Sequence, residues 1–344
     1  MSAIELSSHL AALLAKVGLG DEIRDIKPLV NGGNNKTWFV EAGSGRYVAK
    51  QYFRHAEDSR DRLNAEFEFT RYAFSLVPNR VPTPIVADRT AGLAIFGFLP
   101  GNVFREGEIG IQEVSAAATF FKAINGPERM EQAKHLPDAS ESCFSIVAHL
   151  SLVRGRIERL RKTVTEASDA QAFIDSLWAG WQILERDVLA RAEAYGINPN
   201  ADLSLEQRCV SPSDFGFHNA LRDENGMVRF LDFEYAGWDD PAKMVGDFFA
   251  QLAVPAPGEY FNDFIQIALS GFPDSSSLFK RAQLLRPVYQ IKWCCIALNV
   301  LLPVNLARRK FANPSLDERA LKQSQLAKAA TLFQSTRDLN YGLH

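Results

Sequence analysis

The chain has 344 residues, of which 47% are hydrophobic and 23% are charged, so it is long enough for two lobes that each bury a core. Its formal net charge of −3 excludes a general attraction to nucleic acid or to anionic membranes. The four cysteines include no CxxC pair, which argues against a zinc site or a disulfide framework and predicts reduced, buried thiols of a cytoplasmic protein.

The N-terminal part of the sequence predicts a small antiparallel sheet with two helices. Residues 3–17 have the apolar periodicity of a helix, but no basic start and no cleavage-like end, so we do not expect a secretory signal. Strand-like segments separated by Gly- and Asn-rich turns follow, and a charged helix is expected over 57–76. The predicted strands cover 22–30, 36–42, 46–53, 85–88 and 93–98.

Helical periodicity dominates after residue 101. The predicted helices cover 111–125, 143–165, 168–195, 259–270, 277–302 and 315–336. One predicted strand pair, 220–221 with 228–233, is joined by the turn DENG and interrupts them. The most apolar stretch, 293–304, contains Pro303 and is too short to span a bilayer. We therefore predict an α+β fold, with a small N-terminal antiparallel β lobe over residues 1–99 and a larger, mainly helical C-terminal lobe over residues 100–344.

Residues 211–219 read SPSDFGFHN and contain the letters Asp-Phe-Gly that mark the magnesium-binding loop of protein kinases. A literal reading fails, because the upstream Asp202 is followed five residues later by Gln207 and not by the Asn that a catalytic loop requires. A different assignment fits the spacing: we predict that Asp214 is the catalytic Asp and that Asn219, five residues later, is a magnesium ligand. Asp232 ends the next apolar strand and is the second predicted magnesium ligand.

The order of SPSDFGFHNAL and VRFLDFEYAGWDDP resembles the aminoglycoside phosphotransferase and choline kinase-like family of small-molecule kinases. The resemblance implies a protein kinase-like two-lobe fold, and it assigns Asp214, Asn219, Asp232 and the acidic Glu234 to the family's motif. Asp247 falls where the family carries an Asp that supports the catalytic loop.

The resemblance has one departure. Pro212 and Ser213 stand where the family usually has His and Gly before the catalytic Asp. This departure is the motive for an alternative, a non-catalytic nucleotide-binding protein on the same fold.

The ATP side of the site is predicted from three segments. The first, NGGNNKT, lacks the Gly before Lys of a Walker A motif and is expected to be a turn between strands. Its backbone N–H groups would approach phosphates, at Gly32, Gly33, Asn34 and Asn35. The second, YVAK, resembles the strand that presents a phosphate-binding Lys, here Lys50.

A carboxylate on the following helix is expected to pair with Lys50. Glu66 and Glu68 are both candidates, and Glu66 is preferred because its spacing to Phe69 matches the family's helix. The third segment, LAIFGFLPG, resembles the family's hinge, so backbone groups around Gly97 to Leu99 would take the adenine edge, with Phe96 or Phe98 close to the ring.

The acceptor is predicted to be a small molecule and not a peptide. Asp232 is followed after only nine residues by Pro241, which leaves no room for the activation segment of a protein kinase. A lipid acceptor is disfavoured because no membrane-binding stretch is found. Acidic side chains and Trp293 would favour a cationic acceptor, unless Trp293 belongs to a core helix. The candidates for the acceptor pocket are Glu234, Trp238, Asp239, Tyr289, Lys292 and Trp293.

The sequence thus predicts a phosphotransferase that depends on ATP and Mg²⁺ and acts on a hydroxyl of a sugar, an amino alcohol or an aminoglycoside-like molecule. Its expected partner is this small molecule, with no nucleic acid and no membrane. The choice between ATP and GTP and the oligomeric state stay open. His218 is expected to pack or to bond backbone, since Asp214 already occupies the catalytic place.

Overall fold

The computed structural model describes residues 3–29, 35–43, 45–53, 60–164, 168–312 and 315–338. The chain forms two compact units. Unit 1 comprises Met1–Phe104, Glu131–Ser140 and Pro212–Gly237, and unit 2 comprises Arg105–Met130, Glu141–Ser211 and Trp238–His344. Unit 1 therefore holds the whole predicted N-terminal lobe together with the segment that contains Asp214 and Asp232.

The strands are β1 (Ile23–Leu29), β2 (Lys36–Ala42), β3 (Gly45–Gln51), β4 (Pro84–Asp88), β5 (Leu93–Gly97), β6 (Asn102–Val103), β7 (Cys209–Ser211), β8 (Ala220–Arg222), β9 (Val228–Phe230) and β10 (Gly237–Asp239). The helices are α1 (Ala3–Lys16), α2 (Arg62–Leu76), α3 (Ile111–Ala123), α4 (Arg129–Gln132), α5 (Ile146–Thr163), α6 (Asp169–Ala194), α7 (Pro241–Ala250), α8 (Phe261–Leu269), α9 (Ser275–Ala297), α10 (Pro303–Ala312) and α11 (Glu318–Asp338).

Unit 1 is built on an antiparallel sheet with strand order β1-β2-β3-β5-β4. Successive side chains of a strand point to opposite faces, and β5 shows this directly. Leu93 and Ile95 join the core formed with α1, whereas Ala94 and Phe96 join the core formed with Leu63 and Phe67 of α2. The same alternation on β3 sends Ala49 into the α1 core. Lys50 therefore lies on the α2 face of the sheet.

A smaller sheet of unit 1 has the order β6-β8-β9. The predicted hairpin is present, with Ala220 opposite Phe230 and Arg222 opposite Val228. Its turn closes through the Gly226 N–H, which donates to the Asp223 carbonyl at 3.0 Å, and Gly226 takes a φ of +79° that favours glycine. This hairpin fixes the spacing between Asn219, which precedes β8, and Asp232, which follows β9.

Unit 2 is mainly helical, and α7 lies at its centre. Every residue of α7 is buried, and Asp240 caps the helix by accepting from the Ala242 N–H at 2.7 Å. Two buried lysines within this unit are paired with carboxylates, Lys243 with Asp239 at 2.6 Å and Lys292 with Asp247 at 2.9 Å. Pairing of this kind is what allows charged side chains to be removed from water.

The predicted α+β fold class, with an antiparallel sheet and a larger helical part, is confirmed. The four cysteines are free and buried, as expected. In the part of the chain that the structure describes, no helix is long and apolar enough to cross a membrane. The lobe boundary predicted between residues 99 and 100 stays a prediction.

Several predicted bounds were wrong. The helix predicted over 277–302 ends at Ala297, and a 3₁₀ turn over Leu298–Leu301 separates it from α10, which starts at Pro303, a residue that suits the first turn of a helix. The strand predicted over 228–233 stops at Phe230, because Asp232 has a φ of +66° that leaves the extended conformation. The helix predicted over 57–76 begins at Arg62, where Asp61 caps it; part of its predicted start lies outside the described residues.

Gly246 of α7 permits the close packing of α7 on α9, and Gly246→Ala should destabilise the protein by about 1–3 kcal/mol. An added Cβ would lie 2.6 Å from ring atoms of Tyr289, whose hydroxyl is bonded to His149 and cannot easily move. Gly155→Ala is the matched control, because Gly155 is helical and exposed and a Cβ there meets nothing within 4 Å. That change should stabilise by up to about 1 kcal/mol. Urea unfolding measures both, and equal effects would contradict the packing argument.

Candidate active site

The segment Pro212–Asn219 forms a loop whose two phenylalanines anchor it in the core of unit 1. Phe215 packs against Phe230 with ring centroids 4.9 Å apart, and Phe217 packs against Phe104 at 5.4 Å. Both rings are buried. A short 3₁₀ turn at Phe217–Asn219 follows, closed by the Asn219 N–H on the Gly216 carbonyl. The aromatic anchors hold Asp214 and Asn219 at fixed places on one loop.

Asn219 closes this loop through its side chain. Its Nδ2 donates to the Asp214 carbonyl at 3.0 Å and lies 3.4 Å from Asp214 Oδ2. The amide oxygen of Asn219 is then the atom left for a cation, and it is a ligand type that magnesium accepts. The Asn219 carbonyl accepts a hydrogen bond from the Leu231 N–H at 3.0 Å, which connects the residue before β8 to the residue before Asp232.

Asp232 is placed by an uncommon backbone conformation. Its φ of +66° lies in the left-handed region, which Asp enters more readily than most residues but still at a cost on the order of 1 kcal/mol. The turn brings its carboxylate to Lys50, and Asp232 Oδ1 accepts from Lys50 Nζ.

Lys50 of β3 is shared between two carboxylates. Its Nζ lies 2.7 Å from Oε2 of Glu66 on α2, and the same Oε2 accepts from the Tyr52 hydroxyl at 2.7 Å. Glu68, the other candidate partner, instead lies 2.9 Å from Arg71 and 2.5 Å from Arg89. The structure therefore pairs Lys50 with Glu66.

Burial and charge set the protonation of this cluster. Burial raises the pKa of Glu66 to about 7, against the attraction of the Lys50 ammonium, which lowers it. Burial would lower the pKa of Lys50, but the charges of Glu66 and Asp232 outweigh it and raise the pKa above its usual value. Lys50 thus stays a cation.

These side chains line a cavity of about 360 Å³ within unit 1. Its charged and polar lining includes Lys50, Glu66, His218, Asn219 and Asp232, and the cavity falls in the size range of small-ligand pockets. Its apolar lining includes Leu29, Val48, Phe96, Val103, Leu221 and Leu231. Asp214 contacts the side chains of His218 and Asn219, which both line the cavity. The loop, the hairpin and the Lys50 cluster thus meet at one cavity.

The profile of the phosphotransferase enzyme family (APH) matches residues 25–276. The chain belongs to this family. The resemblance predicted from the motifs is thereby confirmed, and the match includes Lys50, Glu66, Asp214, Asn219 and Asp232. A search of curated protein sequences found no match to this chain.

Solved kinase structures share the fold of this family member over nearly its full length. Choline kinase from Cryptosporidium parvum Iowa II superposes with a TM-score of 0.59 at 13% identity, covering 97% of each chain. A choline/ethanolamine kinase family protein from Mesorhizobium loti gives 0.59 at 15% identity, covering 98% of this chain and 97% of that one. Spectinomycin phosphotransferase APH(9)-Ia, solved with ADP and spectinomycin, gives 0.57 at 14% identity, covering 95% and 98%. At these identities the likeness shows the fold alone, and it confirms the predicted kinase-like fold class.

The hinge segment of this phosphotransferase-family chain borders the same cavity. Phe98 and Leu99 both line it, and so does Phe96. The Phe98 N–H is already bonded to the Arg46 carbonyl at 3.0 Å, and the Phe98 ring lies edge-on to Phe39 at 5.2 Å. The Phe98 ring is thus held by its neighbours, as a wall of the cavity.

Glu234 follows Asp232 by two residues and contacts Asn35, the described residue of the predicted phosphate-binding segment. Its Oε2 accepts from Asn35 Nδ2 at 2.6 Å, and Asn35 Oδ1 also accepts from the Phe53 N–H at 3.3 Å. Asn35 and Glu234 both line the cavity. The other predicted phosphate-loop residues, Gly32, Gly33 and Asn34, lie outside the described residues.

Asp247 and Trp293 belong to unit 2 and bond to each other. The Trp293 indole N–H donates to Asp247 Oδ1 at 2.8 Å, and Lys292 Nζ contacts both oxygens of the same carboxylate. Asp239, another acidic residue proposed for a cationic acceptor, is paired with Lys243. Within unit 2 these carboxylates are therefore neutralised by lysines.

The donor set at Asn219 and Asp232 is consistent with magnesium. In the described part of the chain, no group of three or more His, Cys, Asp or Glu is arranged to hold a metal ion. Magnesium is commonly held by one or two carboxylates and by substrate phosphates, with waters completing the shell, so a complete protein cage is not expected. One carboxylate and one amide oxygen beside a cationic lysine fit that pattern.

Sequence reasoning missed Tyr52, and it expected His218 to pack or to bond backbone, whereas His218 contacts the Asp214 carboxylate and lines the cavity. Tyr52 comes two residues after Lys50, so the strand period of two could have placed it on the same side. Burial and the nearby Glu66 raise the pKa of Tyr52 well above its usual value, so its hydroxyl keeps the proton it donates. His218 carried no such signal, since its contact with Asp214 depends on the 3₁₀ turn at Phe217–Asn219.

Tyr52→Phe should lower the free energy of unfolding by about 1–3 kcal/mol, because Glu66 Oε2 would lose one of its two buried donors. Tyr195→Phe serves as the matched control, since Tyr195 is 44% exposed and should change stability by less than about 0.5 kcal/mol. Chemical denaturation of the two variants and the wild type measures the difference. Equal stability of Tyr52→Phe and the control would contradict the described hydrogen bond.

Proposed function

We propose that this protein is a phosphotransferase that uses ATP and Mg²⁺ to phosphorylate a hydroxyl of a small molecule. The observation that carries the proposal is the convergence of Asn219, Asp232 and the Lys50–Glu66 pair on one cavity of unit 1, with Asp214 in contact with the side chains of His218 and Asn219 in its lining. Family membership supports the same reaction class. The structurally similar APH(9)-Ia was solved with bound ADP, which supports an adenine nucleotide as the donor.

Each side chain has a distinct proposed role. Lys50, oriented by Glu66, binds phosphate oxygens of the nucleotide. Asn219 and Asp232 would hold Mg²⁺, which supplies neutralisation of the charge on the phosphates. Asp214 orients the acceptor hydroxyl and takes its proton at a carboxylate oxygen. Alignment and fixed charge then provide most of the rate acceleration.

The nucleotide base is proposed to lie between the apolar walls of the cavity. Phe96, Phe98 and Leu99 border the space where an adenine would meet the hinge, and Leu221 and Leu231 supply further apolar surface. The glycine-rich turn would cover the phosphates, with Asn35 at its described end. Glu234 is proposed to support this turn through its hydrogen bond to Asn35.

The structurally similar proteins support a small-molecule acceptor, but they do not identify which molecule it is. The similar solved structures include a choline kinase, an ethanolamine kinase and a spectinomycin phosphotransferase, all of which act on small molecules. Asp239 and Asp247 are paired with lysines, so their charges give no reason to prefer a cationic acceptor. We therefore propose a sugar, an amino alcohol or an aminoglycoside-like molecule as the acceptor.

Asp214→Asn should lower phosphoryl transfer by about 10²- to 10⁴-fold while leaving MgADP binding nearly unchanged, because the general base is lost but no metal ligand is. Asp232→Asn should instead weaken Mg²⁺-dependent nucleotide binding by on the order of tenfold or more. Turnover is measured by ATP consumption across sugars, amino alcohols and aminoglycosides, and binding by calorimetry.

The control for both variants is Asp263→Asn, an exposed carboxylate of α8. It should retain wild-type turnover and binding. Unchanged turnover in Asp214→Asn would contradict the assignment of the base. Binding of MgATP without transfer to any acceptor or to water would instead favour a non-catalytic nucleotide-binding protein.

A further inference from the structure

His218 is a polar side chain that touches Asp214 in addition to Asn219. Its Nε2 lies 3.2 Å from Asp214 Oδ1, and the ring lines the cavity with 19% of its side chain exposed. In the part of the chain that the structure describes, His218 Nδ1 is buried and has no hydrogen-bond partner. The proposed function assigns no role to His218, either through its contact with Asp214 or through its buried Nδ1.

The two ring nitrogens of His218 therefore have opposite surroundings. An ionised carboxylate can only accept, so Nε2 must carry a proton for the contact with Asp214 to be a hydrogen bond. Nε2 is therefore the ring nitrogen that donates to Asp214.

The hydrogen bond from His218 restrains the carboxylate of Asp214. The Asp214 side chain is 37% exposed, so its surroundings leave room for rotation about the Cβ–Cγ bond. His218 Nε2 bonds Oδ1, whereas Asn219 Nδ2 lies 3.4 Å from Oδ2 and is bonded more closely to the Asp214 carbonyl. His218 is thus the closer of these two donors to the carboxylate, and Phe217 beside it is anchored in the core.

We propose that His218 is a positioning residue, which donates a hydrogen bond from Nε2 to Asp214 and holds the catalytic carboxylate in the orientation that the acceptor hydroxyl requires. The inference rests on the proposed function, since it assumes that Asp214 is the base. Misplacing a catalytic group by about 1 Å can cost on the order of 100-fold in rate, which sets the size of the effect.

The test compares His218→Leu, which removes the donor, with His218→Gln, whose Nε2 amide can donate from a similar place. The probe reaction is hydrolysis of MgATP with water in place of the acceptor. His218→Leu should lower kcat by about 10- to 100-fold with little change in the KM for MgATP. His218→Gln should recover most of this loss.

His9→Leu is the matched control. His9 Nε2 also bonds a carboxylate, Asp88 Oδ2 at 3.0 Å, but neither residue lines the cavity. This variant should hydrolyse MgATP like the wild type. Proton–nitrogen NMR of the His218 ring adds a readout that needs no turnover, and it should show a proton on Nε2 that exchanges with water more slowly than that of His9.

The possible outcomes separate the inference from the proposed function. If His218→Leu hydrolyses MgATP at the wild-type rate, or if His218→Gln does not recover the lost rate, the inference is overturned and the proposed function is unaffected. A raised KM with unchanged kcat, or a ring without a proton on Nε2, would overturn it as well. MgATP binding without turnover on water or any acceptor would overturn the proposed function, and the inference with it.

Discussion

The buried ammonium of Lys50, shared by Glu66 and Asp232, is the interaction on which the site depends. The two pairings differ in exposure: the side chains of Lys50 and Glu66 are 10% and 6% exposed, whereas that of Asp232 is 35% exposed. Water screens the second pairing more strongly, so in the proposed nucleotide complex Asp232 is the partner that a phosphate oxygen would replace. Glu66, held also by Tyr52, is the partner that remains.

The backbone around the site departs from regular conformation at two non-glycine residues, Ser213 and Asp232, with φ values of +65° and +66°. Each costs on the order of 1 kcal/mol, and such costs are concentrated at functional sites. Ser213 stands where the family pattern has Gly, which takes this conformation freely. Ser213 therefore replaces the family's Gly, but the backbone before Asp214 still adopts the left-handed conformation that suits glycine. At Asp232 the same conformation ends the strand and delivers the carboxylate to Lys50.

The order of the motifs was predictable because it depends on spacing within short segments. Five residues from Asp214 to Asn219 and a hairpin from Asn219 to Asp232 define one loop and one turn, and local chemistry fixes both. The preference for Glu66 over Glu68 followed similarly from helix spacing. The strand period could have placed Tyr52 on the side of Lys50, but the contact of His218 with Asp214 was not predictable, because it depends on the 3₁₀ turn at Phe217–Asn219. Three-residue strands such as β7 and β10 are too short for periodicity to mark.

A crystal structure of the complex with Mg²⁺ and a non-hydrolysable ATP analogue tests the account most directly. The account predicts that Lys50 Nζ stays about 3 Å from Glu66 and moves from Asp232 to a phosphate oxygen. Asp232 should then face the magnesium ion together with Asn219. A complex in which Lys50 leaves Glu66 and keeps Asp232, or in which the nucleotide binds away from this cavity, would contradict the account.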